Sequence, residues 1–253
     1  MPTPFSTRAI VPSSAVSVAV VGDDALAREL GLTSLPAPDD NHDFLLWRRE
    51  GRLELHDWRD RQLNPLQLDF AQTEQRPYAA ALSRRQPLAR AIGKVRVVVD
   101  ATAGLAQDAV RLALMGYHVT AIERSAVVAA LVRDALERLG TSGLGERLQL
   151  SSGDARTLLP AIAPRPETIY LDPMFPSKRR SSSAVRKELK WLRDLVGDDI
   201  DAPELLDIAR RTATYRVVVK RPDNAAPLAP DPSGSIIGKL VRYDIYSVKG
   251  NAA

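Results

Sequence analysis

From Val95 onward the chain alternates between two apolar periods. VRVVVD (95–100), YHVTAIE (117–123), RLQLSSGD (147–154), TIYLD (168–172) and RVVVK (216–220) are apolar runs of strand length. Between them AQDAVRLALMG (106–116), AVVAALVRDALERLG (126–140), ARTLLPAIA (155–163), KELKWLRDLVG (187–197) and APELLDIARRTA (202–213) place apolar residues at helical spacing, and several stop at glycine. KLVRYDIYSV (239–248) predicts a last strand after a Pro-rich loop. Strands alternating with helices predict βαβ units: an α/β domain with a mostly parallel central sheet and helices on both faces. Right-handed crossovers bring the carboxyl ends of the strands to one edge, where open α/β sheets bind ligands.

The first part of the chain follows another pattern. AVSVAVVG (15–22) is β-rich, DDALARELGL (23–32) predicts a short helix with an Asp cap and a glycine stop, and TSLPAPDDNHD (33–43) predicts a loop. FLLWRREGRLELHDW (44–58) predicts a hairpin about Arg-Glu-Gly, and PLQLDF (65–70) a further strand. Residues 1–75 are therefore expected to form a small α+β subdomain, and residues 76–253 the main domain. RPYAAALSRRQPLARAIGKVR (76–96) joins them, with six bases, no acid, and a helix expected from Gln86 or Pro87 to Gly93.

Composition narrows the function classes. With 253 residues, 45% hydrophobic and 26% charged, the chain is an ordinary globular protein. It has no cysteine, which excludes disulfides and thiolate zinc sites. His42, His56 and His118 are scattered and show no ligand spacing, so no metal is expected. The early apolar run is too short to span a membrane and lacks a basic leader, which predicts a cytoplasmic protein. Residues 1–70 hold 7 Lys/Arg against 11 Asp/Glu, while residues 71–253 hold 28 against 20, so the second part is the one suited to an anionic partner.

Four of the predicted strands end in acids: Asp100, Glu123, Asp154 and Asp172. The first turn, DATAGLAQD, has Gly104 but neither a GxGxxG pattern nor a Walker lysine, and Asp100 would repel a pyrophosphate. An acid beside a glycine turn instead suits a cationic cofactor such as S-adenosylmethionine. Glu123 is placed to accept ribose hydroxyls and Asp154 to reach the adenine edge. That order of acids resembles the Rossmann-like class I methyltransferase fold.

Asp172-Pro173-Met174-Phe175 is similar to the Asp/Asn-Pro-x-aromatic box of amino-group methyltransferases. An exocyclic amine on a base is a poor nucleophile, because its lone pair is delocalised into the ring. A carboxylate and a nearby carbonyl that accept its N–H groups turn that pair toward the methyl donor. Pro173 removes a competing donor, and Phe175 would stack on a flipped base. Lys178, Arg179, Arg180 and Lys187 follow, and Lys220 and Arg221 end the next strand; these bases are expected to meet the phosphates of a nucleic acid, with Arg84 and Arg85 adding to the surface.

DATAGLAQDA, AIERSAVVAALVRDAL, YLDPMFPSKRRSS, VRKELKWLRDLVGDD and VVVKRPDNAAPLA together resemble the RsmJ family over about residues 65–250. These are bacterial methyltransferases that use S-adenosylmethionine on a guanosine N2 of 16S, small-subunit ribosomal RNA. The resemblance implies cofactor contacts at Gln107, Asp108, Glu123, Arg124, Asp154, Ala155 and Asp172, with 16S ribosomal RNA or the small subunit as partner. The family usually has glycine where this chain has Ala106, arginine where it has Gln107, and a Gly-rich run where it reads LSRRQPLARAIG. The box alone also fits methylation of a DNA adenine or a protein side chain. A non-catalytic RNA-binding assembly protein is the third reading, and Ala106 and Gln107 keep it open.

Overall fold

The computed structural model describes residues 16–140, 143–174 and 187–248 and contains two sheets. The first is built from β1 (Val18–Val21), β2 (Thr33–Leu35), β3 (Phe44–Arg49) and β4 (Arg52–Asp57), with α1 (Asp24–Leu30) between β1 and β2. Asp23 caps α1 by accepting from the Leu26 N–H (3.0 Å), and Gly31 ends it in the left-handed conformation. The strand order is β2-β1-β3-β4, with β1 parallel to β2 and β3, and β3-β4 the expected antiparallel hairpin.

Two expectations for this unit are corrected. Thr33–Leu35, read as loop, pairs with β1; its side chains carry little apolar signal, and the pairing depends on the chain turning back. PLQLDF, read as a strand, makes a single bridge from Leu66 to Leu55. Asp69 then caps a helix by accepting from the Gln72 N–H (2.8 Å), so Phe70 begins α2 (Phe70–Gln75). Next come α3 (Pro77–Ala80) and α4 (Pro87–Ile92), the latter spanning the predicted segment.

The main sheet carries β5 (Val97–Asp100), α5 (Gln107–Leu114), β6 (His118–Glu123), α6 (Ala126–Leu139), β7 (Leu148–Ser152), α7 (Ala155–Leu158), β8 (Thr168–Leu171), α8 (Lys187–Val196), α9 (Ala202–Thr212), β9 (Arg216–Pro222), β10 (Gly234–Ile237) and β11 (Val241–Ser247). Its order is β10-β11-β9-β8-β5-β6-β7. β5 to β9 are parallel and the β10–β11 hairpin is antiparallel. β10 lies in what the sequence presents as Pro-rich loop. The chain leaves β5 toward β6 and β7, then crosses back to β8, so the topological switch point lies between β5 and β8.

The inner face of the first sheet packs on helices of the second. Val18, Val20, Phe44, Leu46, Leu53 and Leu55 share one core with Val127, Val128 and Leu131 of α6 and Trp191 and Leu195 of α8. Trp191 meets the Phe44 ring edge-on at 6.0 Å and 71°. Arg48 reaches Asp134 of α6 (2.5 Å) and Arg59 reaches Asp194 of α8 (2.9 Å). Among the described residues no helix is long and apolar enough to cross a membrane.

Trp191 is 1% exposed. Trp191→Ala is therefore expected to cost about 3–5 kcal/mol, the range for truncating a core aromatic. Urea unfolding measures it; a loss below about 1 kcal/mol, a surface-like value, would mean that the two sheets do not depend on this contact.

Candidate active site

The carboxyl ends of β5, β6, β7 and β8 border a cavity of about 510 Å³. Asp100, Gly104, Gln107, Asp108, Glu123, Arg124, Asp154, Ala155, Asp172 and Pro173 all line it, so the structure brings the expected cofactor residues together. Phe175, Lys178, Arg179 and Arg180, and the side chain of Lys187, lie outside the described residues.

The turn after β5 is shaped by left-handed backbone. Gly104 has φ 52°, and its N–H donates to Glu123 Oε2 (2.7 Å). Ala106 has φ 57°, is fully buried, and precedes the first turn of α5. A left-handed conformation costs an alanine roughly 1–2 kcal/mol, which is the physical reason a glycine suits this position. The chain keeps the turn regardless: the Ala106 N–H donates to the Ala103 carbonyl and its own carbonyl caps Val110, both at 2.8 Å.

Glu123 is 5% exposed. Its other oxygen accepts from the Ser125 N–H (2.7 Å). Burial pushes its carboxyl up to about 6, against the pull of those two backbone donors. Asp100 is buried and accepts from the Thr102 N–H (3.2 Å); burial, then the charge of Asp108, drives it well above the usual carboxylate range.

On the other side of the switch point stands a charge cluster that sequence reasoning divided incorrectly. Lys220 and Arg221, at the end of β9, were expected to face phosphate. Instead Lys220 Nζ lies 2.8 Å from Asp108 Oδ2 and 2.7 Å from Asp172 Oδ2. Arg221 is 8% exposed and donates to the Ala226 carbonyl, tying down the following loop. In β9 the strand alternation sends neighbours to opposite faces, so two consecutive bases cannot share one partner. The Tyr170 hydroxyl also donates to Asp108 Oδ2 (2.7 Å), and Arg111 pairs with its other oxygen.

These contacts set the charges. Burial works against ionised Asp108, but Lys220, Tyr170 and Arg111 outweigh it and hold the carboxyl below its ordinary range. Enclosure by the cavity floor raises Asp172, with Lys220 opposing. Burial disfavours the Lys220 charge, but Asp172 and Asp108 outweigh it and hold the ammonium above its ordinary range.

A second network fixes the Asp-Pro-Met turn. The Asp172 N–H donates to Thr102 Oγ1 (2.6 Å), stitching the β8 turn to the β5 turn. The Met174 N–H donates to Asp199 Oδ2 (2.5 Å), and the Asp199 N–H returns to the Met174 carbonyl (3.0 Å). Arg124 pairs with Asp199 and with Asp201 (3.0 Å). Thr102, Asp199 and Asp201 were missed in the sequence; the run GDDID looks like a helix boundary, and nothing local links it to a turn 25 residues earlier. Asp154 lines the cavity, but its carboxylate is already held by Arg156 (2.6 Å), whose hydrogen bonds also lower its pKa. Arg84 is likewise redirected: it stacks on Tyr117 at 4.1 Å and donates to the carbonyls of Val95, Met115 and Gly116. Among the described residues no group of His, Asp and Glu is placed to hold a metal.

Comparison with known proteins finds relatives over most of the chain. The SAM-dependent methyltransferase family model matches residues 25–248. A Thioalkalivibrio sulfidiphilus protein named ribosomal RNA small subunit methyltransferase J is 47% identical over 194 residues, covering 72% of this chain and 76% of that one. A Cronobacter sakazakii protein of the same name is 42% identical over 242 residues, covering 89% and 94%. The crystal structure of a SAM-dependent methyltransferase from Neisseria gonorrhoeae aligns with a TM-score of 0.70 at 29% identity, covering 93% of this chain and 97% of that one.

Glu123 makes a pH prediction. Its folded pKa, about 6, lies above its ordinary 4.5. The folded state therefore binds the proton more tightly, and the contribution is complete at low pH and lost as the pH rises through about 6. Relative to Glu123→Gln, the ligand-free wild type is expected to lose roughly 2 kcal/mol of stability between acid and neutral pH. Urea melts across that range check it, and parallel curves would show an ordinary carboxyl.

Proposed function

The chain belongs to the ribosomal RNA small subunit methyltransferase J family of SAM-dependent methyltransferases, and from that premise we propose that it methylates the exocyclic N2 of a guanosine in 16S ribosomal RNA. The observation that carries the reading is Asp172. It sits at the switch point at the end of β8, bound by Lys220 and Thr102 and followed by a proline.

The cavity suits S-adenosylmethionine in size and in chemistry. Its volume lies within the range of small-molecule sites. The carboxylates in its lining would suit a sulfonium and an α-amino group, and Glu123 retains acceptor sites for ribose hydroxyls beyond its two backbone donors. Glu123 and the Gly104 turn would hold the ribose, Asp100 and Asp108 the cationic end, and the backbone at Asp154–Ala155 the base, since the Asp154 carboxylate is engaged by Arg156. When bound, this cofactor supplies a methyl group on a positive sulfur that departs as a neutral thioether.

The chain's residues do the rest. Asp172 accepts one N–H of the target amine and the backbone at Pro173–Met174 accepts the other, turning the nitrogen lone pair toward the methyl carbon. As the N–C bond forms, the amine carries one proton too many, and Asp172 takes it. Lys220 opposes the burial that raises Asp172 and so favours its ionised form. The Asp199 contacts hold the turn in place so that little reorganisation accompanies transfer. The basic segment after Phe175 would meet the RNA backbone.

Three outcomes are expected. Small-subunit RNA from a strain lacking the gene, treated with this chain and cofactor and digested to nucleosides, should yield N2-methylguanosine by mass spectrometry; methylation of a different base or none would sink the reading. Asp172→Ala should lower transfer by about 10²–10⁴-fold with cofactor binding largely retained. Because Asp172 is raised, activity should climb with pH from above the ordinary carboxylate range, and Lys220→Met, which removes the opposing cation, should move that limb to higher pH. An unmoved limb would deny the Lys220 role.

A further inference from the structure

The rim of the cavity carries apolar side chains that the chemistry above does not use. β11 runs antiparallel to β9, with Tyr243 opposite Lys220 and Val241 opposite Pro222. The tip of the β10–β11 hairpin therefore stands at the same sheet edge as Asp172, and Val241 lines the cavity itself. The tip is tight: the Gly238 N–H donates to the Val241 carbonyl (2.8 Å), leaving Lys239 and Leu240 as the turn. A Cβ on Gly238 would stand 2.9 Å from that carbonyl oxygen, closer than real contacts allow, so the turn is built around a glycine.

At this tip Leu240 is 78% exposed, and Ile237, the last residue of β10, is 74% exposed. Lys239 between them is also exposed, as is Arg85, two residues before Pro87, against which Gly238 packs. Ile200, 89% exposed, lies in the chain between the cavity-lining Asp199 and Asp201. Single exposed aliphatics are ordinary. Two at one hairpin tip beside the cavity, flanked by cations, form a chemical pattern: an apolar surface for a base plane and positive charge for the phosphate beside it.

We propose that this hairpin tip is a wedge for RNA, resting on the ribosomal RNA reading above. An amine to be methylated at the floor of the cavity must leave its base stack, and the gap needs a filler. Leu240, backed by Ile237, enters the stack beside the target guanosine and occupies the place the base vacates, as apolar wedges do in nucleic-acid kinks. Lys239 meets the adjoining phosphate.

The test uses the full chain, S-adenosylmethionine with a labelled methyl group, and small-subunit RNA from a strain lacking the gene. Leu240→Ser combined with Ile237→Ser alters exposed positions only, so the fold should be preserved. Transfer, as kcat/KM, is expected to fall at least about ten-fold, while calorimetry gives cofactor affinity within about two-fold of wild type. Leu240→Met should retain most activity, because an unbranched apolar side chain also fills the gap. Lys239→Ala should reduce the salt slope of RNA retention on filters by about one. A double variant as active as wild type would overturn the wedge. So would a change in molecular mass by light scattering on Leu240→Ser, which would assign the tip to contact with a second copy. A wild-type chain that binds cofactor but labels no ribosomal RNA would instead overturn the RNA reading, and the wedge with it.

Discussion

The ammonium of Lys220 is what lets three carboxylates stand together at the carboxyl edge of a buried sheet. Asp100, Asp108 and Asp172 converge on the switch point between β5 and β8, where little water separates them and like charges repel strongly. Lys220 bridges two of them, at 2.8 Å and 2.7 Å, and burial, then the charge of Asp108, raises the third well above the usual carboxylate range. Such a cluster is costly to assemble unless every member is paired or neutral. The Tyr170 hydroxyl and Arg111 complete the pairing at Asp108. The carboxylates are thus partnered within the protein while still lining the cavity.

A second constraint passes through α8. One face of this helix places Trp191 in the core of the first sheet, where it meets Phe44. Its next residue, Leu192, lies over Gly104, so close that a Cβ there would stand 3.3 Å from Leu192 Cδ2. The N-terminal unit therefore supports the helix that roofs the glycine turn. This gives an acidic unit, ill suited to meeting RNA through its charge, a mechanical part in shaping the cavity. Arg59, reaching Asp194 while lying 4.4 Å over the Phe44 ring, strengthens the same junction.

The strands and helices of the main sheet are legible in the chain because their burial is two-sided and their stops are local. Apolar runs such as VVVD and TIYL are buried almost throughout, and glycine or a capping acid marks most ends. The elements that escape reading are those whose existence depends on a neighbour. Thr33–Leu35 is a strand because β1 offers it an edge, and Gly234–Ile237 because β11 does. PLQLDF has the right composition but a single bridge, since Asp69 is used as a helix cap. At the site, the four strand-end acids could be placed from topology alone. Lys220 and Arg221 could not, because a charge run does not say which of its members a strand turns inward.

The βαβ order, the sheet edge that borders the cavity, the acids along it and the Asp-Pro-Met-Phe box can all be read from the chain, since each follows from periodicity, chain handedness or a contiguous motif. Only the tertiary structure decided which charges meet. It drew Lys220 in to Asp172 and Asp108, bound Asp199 to the backbone of Met174, engaged Asp154 with Arg156, and left Leu240 exposed at the rim. Partners such as Lys220 and Asp108, 112 residues apart, are joined by strand pairing and crossover geometry. Those are properties of the assembled sheet, and no local stretch of the chain encodes them.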